Sequence, residues 1–79
     1  MEIKVLGSGC ASCKKLLKVT NAAVKNLNSD VQVLYVTDME EIIKTGIMST
    51  PGLMINGTIK VMGRVPKQKE VEQIISDEA

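Results

Sequence analysis

The sequence predicts a small α/β domain whose elements run β-α-β-α-β-β-α, with three helices around a four-stranded mixed sheet. Three observations lead there. Short β-branched runs alternate with stretches whose apolar residues recur at helical spacing. A turn pair, Asn56-Gly57, sits between two apolar runs, the arrangement of a tight hairpin. Both cysteines fall in one glycine-rich stretch, Gly7 to Lys15, where a strand hands over to a helix. Seventy-nine residues make one domain, residues 1–79. A chain this short buries only about 60–65% of its unfolded surface, so its core must be efficiently patterned.

The first strand covers Glu2 to Leu6. Ile3, Val5 and Leu6 read as nearly continuous apolar residues, the pattern of a strand covered on both faces, so it is expected to be central. An amphipathic helix follows the cysteines to about Leu27. Cys13, Leu16, Leu17, Ala23, Val24 and Leu27 share its apolar side, and Lys14, Lys18, Asn21 and Lys25 the other. Asn28-Ser29-Asp30 breaks it, and Val31 to Val36 forms the second strand, with Val31, Val33 and Tyr35 on one face and Leu34 and Val36 on the other. A strand–helix–strand unit implies a right-handed crossover and parallel strands.

Thr37 and Glu40 match a capping box, and Met39, Ile42 and Ile43 give a short second helix an apolar stripe before Gly46 ends it. Leu53 to Ile55 and Thr58 to Met62 are the antiparallel hairpin strands, and Gly63-Arg64 closes the second. Pro66 suits a first helical position, and Val71, Ile74 and Ile75 supply the buried stripe of the last helix. The tail Ser76 to Ala79 is polar and expected to fray.

Composition narrows the function. Ten basic and nine acidic residues give a net charge of +1. Without a basic stripe or stacking aromatics, that is no case for nucleic acid. Tyr35 is the sole aromatic, so Val, Ile, Leu and Met must build the core. No apolar run is long enough to span a membrane, and Met-Glu-Ile-Lys is not a secretory leader, so a cytoplasmic location is expected. In that compartment a Cys-x-x-Cys pair points to redox catalysis or metal binding rather than to a structural staple.

Residues three apart on a helix are neighbours, at a separation compatible with a disulfide, so Cys10 and Cys13 can open and close a bond without large movement. At the first helical turn, amides without helical partners and the positive end of the helix dipole favour a thiolate on Cys10. Lys14 and Lys15 add positive charge. Cys13, one turn further in, is expected to be the more buried thiol that resolves a mixed disulfide formed at Cys10.

The element order, Cys10-Ala11-Ser12-Cys13, Ser49-Thr50-Pro51 ahead of the third strand, and Gly63 together resemble the thioredoxin fold in its minimal, glutaredoxin-sized form. The resemblance spans nearly the whole chain, and it is closest to the small thioredoxin-like redox-active disulfide proteins of bacteria and archaea. It implies a sheet of order 2-1-3-4 and a protein-disulfide oxidoreductase with no cofactor and no metal. Cys10 and Cys13 would be catalytic. A cis Pro51 with Thr50 would receive the extended backbone of the substrate, and Gly9, Ala11, Ser12 and Lys14 would support the site. The implied partners are a disulfide-containing protein and a thioredoxin-reductase-type electron donor, with the chain acting as a monomer. The motif departs from typical thioredoxins: Gly9 stands where Trp would be, and Ala11-Ser12 replaces Gly-Pro. Gly63-Arg64-Val65-Pro66 does not reproduce a glutathione site, and the residues leading into the cysteines, Lys4-Val5-Leu6-Gly7-Ser8-Gly9, offer no clear counterpart of the buried acid that would assist Cys13.

Rival readings use the same sulfurs. Gly-x-x-Cys-Ala-Ser-Cys also resembles the loop of small copper-binding domains, in which two thiolates take a soft ion. Those domains run β-α-β-β-α-β and end in a strand, whereas this chain ends in helical sequence. A redox-sensing domain and a pair of inert core thiols are the others. Met39, Met54 and Met62 read as plain core. Met48, three residues before Pro51, is placed to border the reactive sulfur and offer a partner an apolar contact. Lys14, Lys15 and Lys18 read first as a solvated helix face and second as charge that steers acidic partners or lowers the Cys10 pKa.

Overall fold

The structure, a computed structural model, describes residues 1–78. Its elements are β1 (Ile3–Leu6), α1 (Ala11–Asn26), β2 (Val33–Val36), α2 (Met39–Lys44), β3 (Gly52–Ile55), β4 (Thr58–Met62) and α3 (Gln68–Glu78). The four strands form one mixed sheet of order β2-β1-β3-β4. β1 runs parallel to β2 and antiparallel to β3, and β3 is antiparallel to β4. The order expected from the resemblance is the order observed, with β1 central.

Period-two alternation along the strands divides the core between the two faces. Ile3, Val5, Leu53, Ile55 and Val61 point to the face covered by α1 and α3, where they meet Leu16, Ala23, Val24, Val71 and Ile75. Leu6 and Met54 point to the other face, where Ile42 of α2 covers them with Val36, Ile47 and Ile59 alongside. At about 1.5–3 kcal/mol for each fully buried aliphatic side chain, these two layers are the main favourable term in folding. A bulge sorts β4 between them. Leu53 pairs with Val61 but Met54 pairs with Ile59, so Lys60 is the extra residue. Strict alternation would put Ile59 and Val61 on one face; the bulge sends them to opposite faces. Lys60 turns outward to an ion pair with Glu78.

Several boundaries differ from the sequence expectation. β2 begins at Val33, because Ser29 Oγ accepts the Val31 amide at 3.2 Å and Ile3, the first residue of β1, pairs with Val33. The cap of α2 is Asp38, not Thr37: its carboxylate accepts from the Glu40 amide at 2.9 Å, and the helix starts one residue later than a Thr37 cap requires. Of the expected α2 stripe only Ile42 is buried, and Met39 and Ile43 are exposed, because a helix of six residues lays one side chain on the sheet. Met62, also expected in the core, is exposed on edge strand β4; of the three methionines so expected, Met54 alone is buried. Pro66 precedes α3 rather than opening it, since the first α3 turn closes from the Val71 amide onto the Lys67 carbonyl. The tail expected to fray is helical through Glu78, and Ala79 lies outside the described residues. The Asn56-Gly57 turn stands as expected, both residues at positive φ (51° and 81°).

Candidate functional site

The site is built at the C-terminal end of β1. After Leu6 the chain is held to the sheet by the Gly7 amide, which donates to the Val36 carbonyl at 3.0 Å. It then turns through Gly9, at φ +92°, a conformation that costs a residue with a Cβ but not glycine. That turn delivers Cys10 to the N-cap of α1 in extended conformation, with φ −69° and ψ 167°. The Cys10 carbonyl accepts the first intrahelical bond from the Lys14 amide at 3.0 Å. Its sulfur accepts from the Cys13 amide at 3.3 Å. Cysteine here does what serine or aspartate does at an ordinary N-cap: it satisfies one of the helix's unpartnered amides.

Cys10 and Cys13 are joined as a disulfide, with Cα atoms 5.1 Å apart. The two sulfurs sit in different surroundings. Cys10 is exposed, and so are Ala11, Ser12 and Lys14 around it, whereas Cys13 is fully buried. Gly7 lies against Cys13. A Cβ at position 7 would come within 2.5 Å of the Cys13 Cβ and closer still to its Sγ. This contact makes Gly7 part of the site, a role that spacing does not reveal. Its one sequence signal is a glycine ending an apolar strand where Gly9 already supplies the turn.

The second wall comes from the segment before β3. Leu6 pairs with Gly52, so Pro51, one residue earlier, sits level with Gly7 and hence beside the cysteine turn. The Thr50–Pro51 peptide is cis, Pro51 is buried, and its carbonyl accepts from the Gly63 amide at 2.8 Å. Two neighbours fix the loop from the side. Ile47 packs over Gly52, and a Cβ at Gly63 would lie 2.7 Å from Ser49 Oγ. Between them Met48 is 89% exposed. Thr50 is half-buried, and among the described residues its backbone N–H and C=O take no hydrogen-bond partner. Beyond Gly63, Arg64 reaches Glu70 with both guanidinium nitrogens, one at 3.1 Å. That hydrogen-bonded pairing holds the Glu70 carboxyl below its ordinary value and raises Arg64 further.

Sequence and structure thus place Gly9, Cys10, Ala11, Ser12, Cys13 and Lys14 on one turn, with Thr50 and Pro51 beside it. Among the described residues no three His, Cys, Asp or Glu side chains gather into a metal site. No helix there is long and apolar enough to cross a membrane.

A sheet of order 2-1-3-4, a disulfide with one exposed and one buried sulfur at a strand-to-helix junction, and a proline loop alongside define a thiol–disulfide oxidoreductase of thioredoxin-like fold. The family model described as Thioredoxin domain matches residues 1–76, and the chain belongs to that family. Relatives agree. A thioredoxin of Methanothermobacter thermautotrophicus is 38% identical over 76 residues, covering 96% of this chain and 99% of that protein. A thioredoxin of Methanocaldococcus jannaschii is 30% identical over 71 residues, 90% of this chain and 81% of that protein. A probable thioredoxin, also from M. thermautotrophicus, is 29% identical over 72 residues, 87% and 84% of the two chains.

Proposed function

We propose that the chain reduces disulfides of partner proteins, with Cys10 as nucleophile and Cys13 as resolving thiol. In the reduced protein the Cys10 thiolate attacks one sulfur of the substrate disulfide, and the other substrate sulfur leaves as a thiolate that takes up a proton. Cys13 gives up its proton and attacks the Cys10 sulfur of the mixed disulfide. The second substrate thiol is released and the Cys10–Cys13 bond closes. The substrate gains two protons, one from Cys13 and one from solvent, and two electrons, which the protein loses. A thioredoxin-reductase-type donor returns the electrons.

The observation that carries this reading is the Cys13 amide 3.3 Å from the Cys10 sulfur. On an exposed thiolate that donor and the α1 dipole stabilise the charge, which lowers the pKa of a cysteine at a helix N-terminus. Lys14 adds positive potential. Gly9 makes the turn, and the small Ala11 and Ser12 leave the sulfur open. The unpartnered N–H and C=O of Thr50, held in place by Pro51, suit an extended substrate strand, which pairs through main-chain hydrogen bonds. The setting we infer is a monomer in the cytoplasm. The rival copper-carrier reading loses support from the fold, because helix α2 stands between the second and third strands, where a β-α-β-β-α-β domain has none.

Reduction of insulin with dithiothreitol recycling tests the roles. The wild type is expected to turn over, Cys10→Ser to be inactive, and Cys13→Ser to be inactive yet to accumulate a covalent mixed disulfide. Trapping in Cys10→Ser instead would reverse the assignment. Stoichiometric Cu(I) binding without turnover would replace it.

A further inference from the structure

The charges around the disulfide are sorted by wall. Helix α1 carries Lys14, Lys15, Lys18 and Lys25 and no acidic residue. Lys14, Lys15 and Lys18 are all exposed, and no ion pair among the described residues involves any of them. The facing proline segment is the reverse: residues 45–59 contain no charged side chain. Its outermost group there is Met48, and Met62, opposite Gly52 on β4, is also exposed. On the other face of the sheet α2 begins with Asp38, Glu40 and Glu41.

Folding does not account for the lysines. Lys14–Lys18 and Lys15–Lys18 are like charges at i,i+4 and i,i+3, and such pairs destabilise a helix by about 0.2–0.5 kcal/mol each. Cations near a helix N-terminus also oppose the macrodipole. The chain therefore holds an unneutralised positive patch, at a small cost in stability, beside its exposed sulfur.

Building on the disulfide-reductase reading, we infer that the preferred substrates are protein disulfides flanked by acidic residues. Lys14, Lys15 and Lys18 receive those carboxylates, and the uncharged wall around Met48 receives an apolar neighbour of the substrate cysteine. The acidic start of α2 sets the orientation, since it repels a substrate whose carboxylates point past β2 rather than over α1. Complementarity of this kind acts chiefly on encounter rate and on rejection of wrong partners.

The test uses three probes at low ionic strength: two synthetic peptides with the same internal disulfide, one flanked by glutamates and one by lysines, and uncharged bis(2-hydroxyethyl) disulfide. Wild type and Lys15→Glu/Lys18→Glu are compared; the variant leaves the turn from Gly9 to Lys14 intact and turns the Lys14–Lys18 repulsion into an attraction, while the pair at 15 and 18 stays like-charged with its sign reversed. Wild type is expected to prefer the acidic peptide by about tenfold in kcat/KM, a preference that shrinks in high salt. The variant should lose or invert that preference when each peptide rate is divided by the same protein's rate on the uncharged disulfide, which removes any change at Cys10 itself from the comparison. Equal wild-type rates on both peptides, or a variant equally impaired on all three probes, would overturn the inference and leave the reductase reading standing. Failure of wild type on all three would remove the reading, and the inference with it.

Discussion

Gly7 and Cys13 are in contact across the strand-to-helix junction, with no room between them for a methyl group. β1 thus fixes the buried sulfur directly, and the position of Cys13 follows from the sheet as much as from its own helix. Gly7→Ala should lower stability by about 1–3 kcal/mol, the cost of overpacking a tight interior. Urea unfolding of the oxidised protein reads that loss as a lower midpoint at unchanged slope. A variant as stable as wild type would show that α1 yields freely and that Gly7 does not position Cys13.

The asymmetry of the two sulfurs is open to chemistry. In the reduced protein, one equivalent of iodoacetamide should modify the exposed Cys10 and spare the buried Cys13. The alkylation rate should rise with a midpoint below the value of about 8.5 that a free thiol shows. Peptide mapping identifies the labelled residue. Equal labelling, or an ordinary midpoint, would remove the argument that the start of α1 activates Cys10.

Apolar side chains here separate by role. Leu16 is fully buried between α1 and the sheet, and Leu16→Ala should cost about 2–5 kcal/mol through lost burial and the cavity left behind. Met48 is 89% exposed, and Met48→Ala should change stability by no more than about 0.5 kcal/mol. The same Met48→Ala should weaken reduction of a folded protein substrate more than that of a small disulfide. Thermal or urea melts check the first pair of outcomes, and parallel kinetics check the last.

One pH effect has a definite sign. The Glu70 carboxyl is held below its ordinary value by hydrogen bonds from Arg64. A lowered folded-state pKa means that the pair contributes stability above the unfolded-state pKa and loses it as pH falls through the folded one. The pair is solvent-exposed, so the effect is small and screened by salt. The NMR titration midpoint of Glu70 should rise toward its ordinary value in Arg64→Gln. An unmoved midpoint would show that the two side chains do not pair in solution.

Much of this was legible in the order of residues. The apolar periods gave the element sequence, the Asn56-Gly57 pair gave the hairpin, and two cysteines three apart at the mouth of a helix gave the redox centre. Local chemistry was also where reading failed at the margins. Thr37 offered as good a cap as Asp38, and Met39, Ile43 and Met62 looked like core because periodicity counts apolar residues without knowing how much partner surface waits for them. The bulge at Lys60 was hidden for the same reason, since it becomes visible only once β3 sets the register.

The chain by itself determined which elements form and that Cys10 heads a helix, because helix caps, turn pairs and apolar periods act over a few residues. Tertiary structure alone decided that Gly7 presses on Cys13, that Pro51 stands level with them, and that a lysine wall faces an uncharged one. Gly7 and Cys13 are only 6 positions apart, but Pro51 stands 44 positions from the one and 38 from the other. Those relations are fixed by strand register and by the packing of α1 on the sheet, neither of which a local pattern encodes.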